Sequence, residues 1–157
     1  MERRTFLSSI LAGTATTAVS WHGTQPAASA VEVGDLRCEY IANPIGVDVT
    51  RPRLSWVLTS HRRGDTQSAY QVLVGSSADK LNADEGDLWD SGKVISGQST
   101  QVLYQGKDLS SRQRCYWKVR IWDRQAELSH YSGIATWEMG FLSPADWKAR
   151  WVGFTPG

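Results

Sequence analysis

The sequence predicts an all-β fold, and three observations support this prediction. The 157 residues include 14 Gly and eight Trp, a combination typical of short strands joined by tight turns. Apolar and polar side chains alternate along most of the chain with the two-residue period of a strand. Turn residues recur at intervals of roughly 8–12 positions, which divides the region into about seven strands. These features predict a seven-stranded antiparallel sandwich, similar to immunoglobulin or fibronectin III domains, over residues 31–140.

Three segments give the clearest strands. Large apolar residues occupy their inward positions, two apart, and more polar residues occupy the outward positions. The inward sets are Leu54, Trp56 and Leu58; Tyr70, Val72 and Val74; and Trp117, Val119 and Ile121. We expect Trp56 and Trp117 to lie between the two sheets, because a buried indole contributes a large apolar area.

Four weaker strand candidates complete the set, each bounded by turn residues. They are residues 36–41, 88–94, 101–104 and 132–139, the second being interrupted at residues 90–92. One helical turn is predicted at residues 78–81, where the Ser77 hydroxyl is placed to cap its first turn.

The charge of the chain argues against partners chosen by bulk electrostatics. Seventeen Lys and Arg stand against sixteen Asp and Glu, a formal charge of +1. A nearly neutral chain has no summed field with which to hold nucleic acid or an anionic membrane surface. We therefore expect no nucleic-acid partner.

Residues 1–30 have the features of an export signal. Arg3 and Arg4 precede a mildly apolar run, and residues 28–30 (ASA) form a small-residue cleavage site. The run falls short of a bilayer span. The order RRTFL at residues 3–7 resembles the twin-arginine signal, which implies export of a folded protein by a bacterium. We expect a periplasmic or extracellular protein with no membrane contact after cleavage. The alternatives are an ordinary secretory signal with a chance Arg pair and a disordered tail.

The sequence pattern changes after Gly140. Residues 141–157 contain a proline stop and then a short apolar run that ends the sequence. We interpret them as a linker and the first strand of a missing next domain, since a strand so close to the end has no partner of its own. Trp147 and Trp151 are predicted to contact that domain, because Trp is enriched at interfaces.

No pattern in the sequence predicts catalysis, a cofactor or a metal. The chain lacks a nucleophile elbow, zinc-ligand spacing and a Gly-rich phosphate loop. Acidic residues cluster at 84–90 and 123–127, where a glycosidase pair or a calcium site would be the functional interpretations. We favour solvated turns, which acidic residues also prefer, and predict no catalytic residues, cofactors or metal ligands.

The cysteine count leaves one question open. Cys38 and Cys115 are too few for a disulfide scaffold. We expect two small buried thiols, since a protein folded in the reducing cytoplasm forms no bridge there. A disulfide between two aligned strands remains the alternative.

Exposed indoles suggest a possible binding surface. Trp122 has outward parity beside Asp123, and Trp89 cannot be placed by parity. A flat indole provides a platform on which a sugar ring can stack, so Trp89 and Trp122 are candidates for carbohydrate contact. We favour contact with another domain, because the chain shows a missing neighbour.

Several segments together resemble the start of bacterial α-L-rhamnosidases of the large multi-domain type. In order, they are 36–40 (LRCEY), 43–48 (NPIGVD), 53–56 (RLSW), 63–64 (RG), 67–72 (QSAYQV), 88–94 (LWDSGKV), 116–123 (YWKVRIWD), 137–140 (WEMG) and 146–153 (DWKARWVG). They are similar to that family's N-terminal fibronectin-like domain and its junction to the next module. Two departures are Gln125-Ala126-Glu127, where the family usually turns with a Gly, and Tyr131, which replaces a frequent Trp.

The resemblance implies a function for the whole protein rather than for this segment. The family hydrolyses terminal α-L-rhamnose with inversion, using acidic residues on a helical barrel domain far C-terminal to such a segment. No residue here corresponds to those groups. We therefore expect a non-catalytic accessory domain of an exported α-L-rhamnosidase, with the following domains of the same polypeptide as partners and rhamnosylated carbohydrate as a further possible one. A free-standing carbohydrate-binding module is one alternative, and a nonfunctional fragment of a broken gene is another.

Overall fold

The structure, a computed structural model, describes residues 29–150 and residue 153. The described part contains nine short strands, one helix of five residues and a 3₁₀ turn at Pro144–Asp146. The elements are β1 (Glu32–Cys38), β2 (Ile45–Val47), β3 (Arg53–Thr59), β4 (Gln67–Gly75), α1 (Ala78–Asn82), β5 (Trp89–Asp90), β6 (Val94–Ile95), β7 (Val102–Leu103), β8 (Arg114–Asp123) and β9 (Ala135–Met139). Neither helical segment within residues 29–150 has the length and apolar character needed to cross a membrane.

The strands form two sheets. The small sheet has the order β1-β3-β7, and the large sheet has the order β2-β9-β8-β4-β5, with β6 also paired to β4. The strands of the small sheet pair antiparallel, as do all neighbours in the large sheet except β2 and β9, which run parallel. The predicted all-β sandwich is thereby confirmed, with one parallel pair that the alternation pattern did not indicate.

The core lies between the two sheets, as strand parity predicts. Leu54 and Trp56 of β3 are buried, and so are the predicted inward residues of β4 and β8. The Trp56 ring meets the Tyr70 ring edge-on, with 5.2 Å between their centroids. This arrangement is the one that aromatic quadrupoles favour, and it joins the small sheet to the large one.

The number of strands differs from the predicted seven. The candidate at residues 88–94 forms two separate strands, β5 and β6, both paired to β4. Between them the Asp90 carboxylate accepts a hydrogen bond from Gly92 N over 2.8 Å, and Gly92 has a φ of +58°. This turn breaks the ladder in two. The other addition is β2, a three-residue strand with too few residues to show an alternation.

The helix α1 covers part of the outer face of the large sheet. The Ser77 hydroxyl accepts a hydrogen bond from Lys80 N over 3.3 Å, as predicted for the cap. Leu81 is buried against the sheet. Beneath the helix, Lys118 of β8 is only 6% exposed, and its ammonium donates to the Leu81 carbonyl and the Asp84 carboxylate. Strand parity had placed Lys118 on a polar outer face, and the cover supplied by α1 explains its burial.

Candidate functional site

A row of cations and aromatic rings lies on the outer face of β8, which we call the outer ladder. It comprises Lys93, Lys118, Arg120, Trp122 and Tyr131. Lys118, Arg120 and Trp122 alternate on β8 and therefore share one face. Lys93 Nζ lies 4.5 Å from the centre of the Trp122 ring, and Lys118 Nζ lies 4.2 Å from the centre of the Tyr131 ring. The Arg120 guanidinium lies 4.6 Å from Tyr131 and 5.7 Å from Trp122.

The outer ladder is held in place by hydrogen bonds from β4. Gln71 Oε1 accepts from Arg120 Nε over 2.9 Å and from its terminal nitrogen over 2.7 Å. The Gln71 amide nitrogen donates in turn to the Asp90 carboxylate over 2.7 Å. Arg120 is therefore fixed between two rings, and each ring contact adds a cation–π attraction.

A groove of about 740 Å³ borders this ladder. Its walls include Arg120, Trp122, Tyr131, Glu127 and His130. Aromatic faces with nearby donors and acceptors can bind a sugar ring, so the groove is the candidate carbohydrate site of the described residues. Strand parity indicated Trp122, whereas Tyr131 was noted only as a departure from the family and Lys93 was not noted. The turns that bring both residues to β8 depend on distant pairing, which local patterns do not report.

Trp89, the other candidate platform, packs against the core. It is half-buried, and its ring meets the Tyr104 ring edge-on at 5.5 Å. Tyr104 meets the buried Trp137 in the same way at 5.9 Å. These three rings form a continuous edge-to-face series, so much of the Trp89 ring serves packing. The structure does not bring Trp89 and Trp122 into one groove: different sets of residues line the pockets at each.

A second exposed aromatic feature lies where the chain leaves the sandwich. The Phe141 and Trp147 rings pack edge-on at 5.5 Å, yet the two residues are 42% and 58% exposed. We call them the exit pair. Trp147 was predicted from sequence as an interdomain contact, and Phe141 joins it here.

Hydrogen bonds tie this segment to the loop before β8. The Ser111 hydroxyl bonds to the Asp146 carboxylate and accepts from Leu142 N over 2.8 Å. Asp146 also accepts from Ser143 N over 3.2 Å and completes a capping box there. We call these bonds among Ser111, Leu142 and Asp146 the Ser111 clasp. The clasp fixes the orientation of the exit pair relative to the sandwich.

The four aspartates of the two predicted turn clusters have structural partners. The Asp84 carboxylate accepts from Lys118, Asp87 from Lys80 and Ser76, Asp90 from Gln71, and Asp123 from Ser29 and Arg62. Partial burial alone would raise the pKa of Asp87, but the bonds from Lys80 and Ser76 outweigh it and lower the pKa to about 2. Within residues 29–150, no group of three or more possible metal ligands comes together.

The two cysteines lie in the sandwich core. Cys38 is the last residue of β1 and Cys115 is the second residue of β8, and both are free and buried. Burial raises the pKa of each thiol to about 12, because the thiolate is disfavoured among apolar neighbours. Both thiols are therefore protonated and unreactive at neutral pH.

Three predicted residues lie outside the described part of the chain. Arg3 and Arg4 of the predicted export signal belong to this group, and so does Trp151 of the predicted junction. The interpretations that rest on them stay predictions.

Two mostly antiparallel sheets packed face to face around buried Trp residues define an immunoglobulin-like β-sandwich domain. A family model described as the Rha78A-like, N-terminal immunoglobulin domain matches residues 33–143. The chain belongs to that family, and the resemblance noted in the sequence is confirmed.

The relatives of this chain are α-L-rhamnosidases. An α-L-rhamnosidase of Streptomyces avermitilis is 44% identical over 124 residues, and one of Formosa agariphila is 41% identical over 115 residues. These matches cover 79% and 73% of this chain but only 12% of either relative. The chain therefore spans about an eighth of the length of the relatives it matches.

Solved structures agree with this assignment. The crystal structure of the S. avermitilis α-L-rhamnosidase with L-rhamnose matches 79% of this chain and 12% of its own, at 43% identity and a TM-score of 0.75. The α-L-rhamnosidase from Dictyoglumus thermophilum matches 83% and 14%, at 37% identity and a TM-score of 0.76. An α-L-rhamnosidase from Aspergillus terreus, at 22% identity and a TM-score of 0.63, shares the fold.

Proposed function

We propose that this chain is the non-catalytic N-terminal accessory domain of an exported α-L-rhamnosidase. Its role is to pack against the following domains of the same polypeptide and stabilise them, while those domains hydrolyse terminal α-L-rhamnose. The observation that carries this proposal is the coverage: most of the chain matches about 12% of much longer α-L-rhamnosidases. We also propose three segments: a leader at residues 1–30, the sandwich at residues 31–140 and a junction at residues 141–157.

The exit pair supports the packing role. Phe141 and Trp147 are large, apolar and exposed next to each other, and apolar patches of this kind mark interaction surfaces. The Ser111 clasp holds them in one orientation, so a following domain would meet a preformed surface. Little ordering entropy would then be lost on contact.

A chimera tests the packing role. Residues 31–157 would replace the matching segment of the S. avermitilis α-L-rhamnosidase, and Trp147→Ser would be made both in the chimera and in the 157-residue chain. We expect the substitution to lower the Tm of the chimera by several degrees and to leave the Tm of the chain nearly unchanged. Ile95→Ser, at another exposed apolar residue, is the matched control. Equal effects of the two substitutions in the chimera would refute packing through the exit pair.

An activity measurement tests the non-catalytic assignment. The purified chain should release no nitrophenol from an aryl α-L-rhamnoside, whereas the active chimera should do so. Hydrolysis by the chain that survives further purification would overturn the assignment.

The groove beside the outer ladder favours a second candidate function, carbohydrate binding. Trp122 and Tyr131 offer aromatic faces there, and Arg120 offers donors. Titration with rhamnosides, followed by Trp fluorescence, tests this function. Saturable quenching that Trp122→Ala abolishes and Trp89→Ala preserves would support the groove, and the reverse pattern would place the platform at Trp89. An unchanged spectrum at millimolar rhamnoside would count against both.

A further inference from the structure

The first described residues are attached to the turn that follows β8. Ser29 N donates to the Leu128 carbonyl over 3.0 Å, and Ser29 Oγ donates to Asp123 Oδ2 over 2.7 Å. Val31 N donates in turn to Ser29 Oγ over 3.1 Å. A single hydroxyl group therefore bridges the backbone nitrogen of Val31 and the Asp123 carboxylate.

The Asp123 carboxylate depends on that hydroxyl. Its side chain is 0% exposed. Oδ1 accepts from the backbone nitrogens of Gln125 and Glu127, each over 2.9 Å. Oδ2 accepts from Ser29 and, at the longer distance of 3.4 Å, from Arg62. Loss of Ser29 would leave a buried anionic oxygen with one long contact, which is a costly state for a charge.

The predicted export signal ends within this arrangement. Its small-residue cleavage site is formed by residues 28–30, so cleavage after Ala30 removes Ser29. Ala30 is exposed, whereas the Val31 side chain is 3% exposed and belongs to the core. The core therefore anchors the residue that becomes the new N-terminus.

We propose that removal of the leader at the Ala30–Val31 bond places the new α-ammonium of Val31 on the Asp123 carboxylate. The proposal rests on the proposed export of the protein. Water, with a leader peptidase as catalyst, hydrolyses the amide bond. Ala30 leaves with a carboxylate, and the Val31 nitrogen becomes an amine, which binds a proton at neutral pH.

This exchange replaces a hydrogen bond from an uncharged donor with an ion pair. The departing Ser29 hydroxyl offers one donor, whereas an ammonium offers three and carries the opposite charge to Asp123. The bond from Ser29 is charge-assisted through the carboxylate alone, and the ammonium places a charge on the donor as well. Processing therefore removes both Ser29 contacts, to Leu128 and to Asp123, and replaces them with a direct ion pair between the residue before β1 and the last residue of β8.

The cut can be made on the full chain without any export. Replacing Ala27→Ile, Ala28→Glu, Ser29→Gly and Ala30→Arg introduces the factor Xa recognition sequence, so that one cleavage leaves Val31 as the first residue. The pKa of the Val31 ammonium is then measured by NMR on protein labelled with ¹⁵N-valine. We expect a value at least one unit above the ordinary value of about 7.7. A Val31 ammonium that titrates at the ordinary value would overturn the proposal.

Two variants assign the cause of the raised pKa. Asp123→Asn keeps the Oδ1 acceptor for Gln125 and Glu127 and removes the charge, so it should return the Val31 pKa to the ordinary value. Arg62→Gln removes the competing cation and should leave the Val31 pKa equal or higher. A lower Val31 pKa in Arg62→Gln, or a pKa that Asp123→Asn leaves raised, would contradict the proposed pair.

Export is tested separately with the unaltered chain in a bacterium that has the twin-arginine pathway. An exported product whose mass corresponds to residues 31–157 supports the cleavage position, and a product that retains Ser29 refutes it. A chain that is never exported refutes the proposed export, while the factor Xa measurement still decides whether the ion pair forms.

Discussion

Trp56 Nε1 donates a hydrogen bond of 3.0 Å to Gln67 Oε1 inside the sandwich. The Gln67 amide nitrogen donates to the carbonyls of Ser96 and Gln98 over 3.0 and 2.8 Å. One buried amide thus satisfies a core indole and ties β4 to the loop after β6. Trp117, the other central indole, finds no acceptor for Nε1 among the described residues, so the two Trp residues that sequence parity treated alike differ in their polar contacts.

Replacement of Gln67 by Met should destabilise the domain. The variant leaves the buried Trp56 N–H without its acceptor, which costs about 1–3 kcal/mol. Ser96 is half-buried and Gln98 is exposed, so water can replace the amide at their carbonyls. We expect the free energy of unfolding, measured in urea, to fall by about 1–3 kcal/mol. Gln105→Met, at an exposed position, is the control and should change it by less than about 0.5 kcal/mol. Similar losses in both variants would contradict the role assigned to Gln67.

Ala126→Gly should stabilise the domain. Ala126 has a φ of +63°, a left-handed conformation that costs an L-residue about 1–2 kcal/mol and that Gly adopts without strain. The greater freedom of Gly in the unfolded chain offsets part of that gain, so we expect an increase of about 0.5–1 kcal/mol in the free energy of unfolding. The control is Ala83→Gly, where φ is −86° and no gain is expected. A loss in both variants would show that strain at Ala126 is negligible.

Gly106→Ala should be poorly tolerated. A Cβ on Gly106 would lie 2.4 Å from the Leu88 carbonyl oxygen and 2.5 Å from both Trp89 Cβ and the Tyr104 hydroxyl. Backbone and ring would have to shift, so we expect a loss of about 1–3 kcal/mol in urea unfolding. Gly133→Ala has open space around the added atom and should be nearly neutral. A neutral Gly106→Ala would mean that residues 88 and 89 give way easily.

Asp87→Asn should alter the acid sensitivity of the domain. Because the pKa of Asp87 is lowered to about 2 in the folded state, its stabilising contribution is complete above the unfolded value of about 3.9. That contribution is lost as the pH falls through the folded value. The variant should therefore be less stable at pH 6 and lose less on acidification from pH 4 to pH 2. Urea midpoints across this range test it, with Asp108→Asn as an exposed control. Parallel pH curves for Asp87→Asn and the parent would refute the prediction.

Features of the fold that depend on neighbouring residues in the sequence could be predicted, and features that depend on distant segments could not. The inward parity of Trp56, Trp117 and Val72 follows from the two-residue period of a strand, and the structure confirms it. The parallel pairing of β2 with β9 depends on chain segments about 90 residues apart, and three residues carry no period. Lys118 had outward parity, but its burial depends on α1, which the period of β8 does not report.

The candidate sites were predictable to a smaller degree. Trp122 was identified by its outward parity on a predicted strand, and Trp147 by its place in the segment after the sandwich, since Trp is enriched at interfaces. Their neighbours Tyr131, Lys93 and Phe141 reach them through turns whose geometry no local spacing encodes. The left-handed backbone of Ala126 was not predicted, although the sequence showed that the family usually turns with a Gly at residues 125–127.

The short strands at the sheet edges affect the tendency of the domain to aggregate at high concentration. The large sheet ends in β2, of three residues, and in β5 and β6, of two residues each; the small sheet ends in the two-residue β7 and in β1, whose register shifts between Gly34 and Arg37. A strand from another chain can add to a sheet only where the edge offers a long row of free backbone donors and acceptors. Short or irregular edge strands do not provide such a row. These edges therefore disfavour strand swapping and fibril formation between copies of the domain.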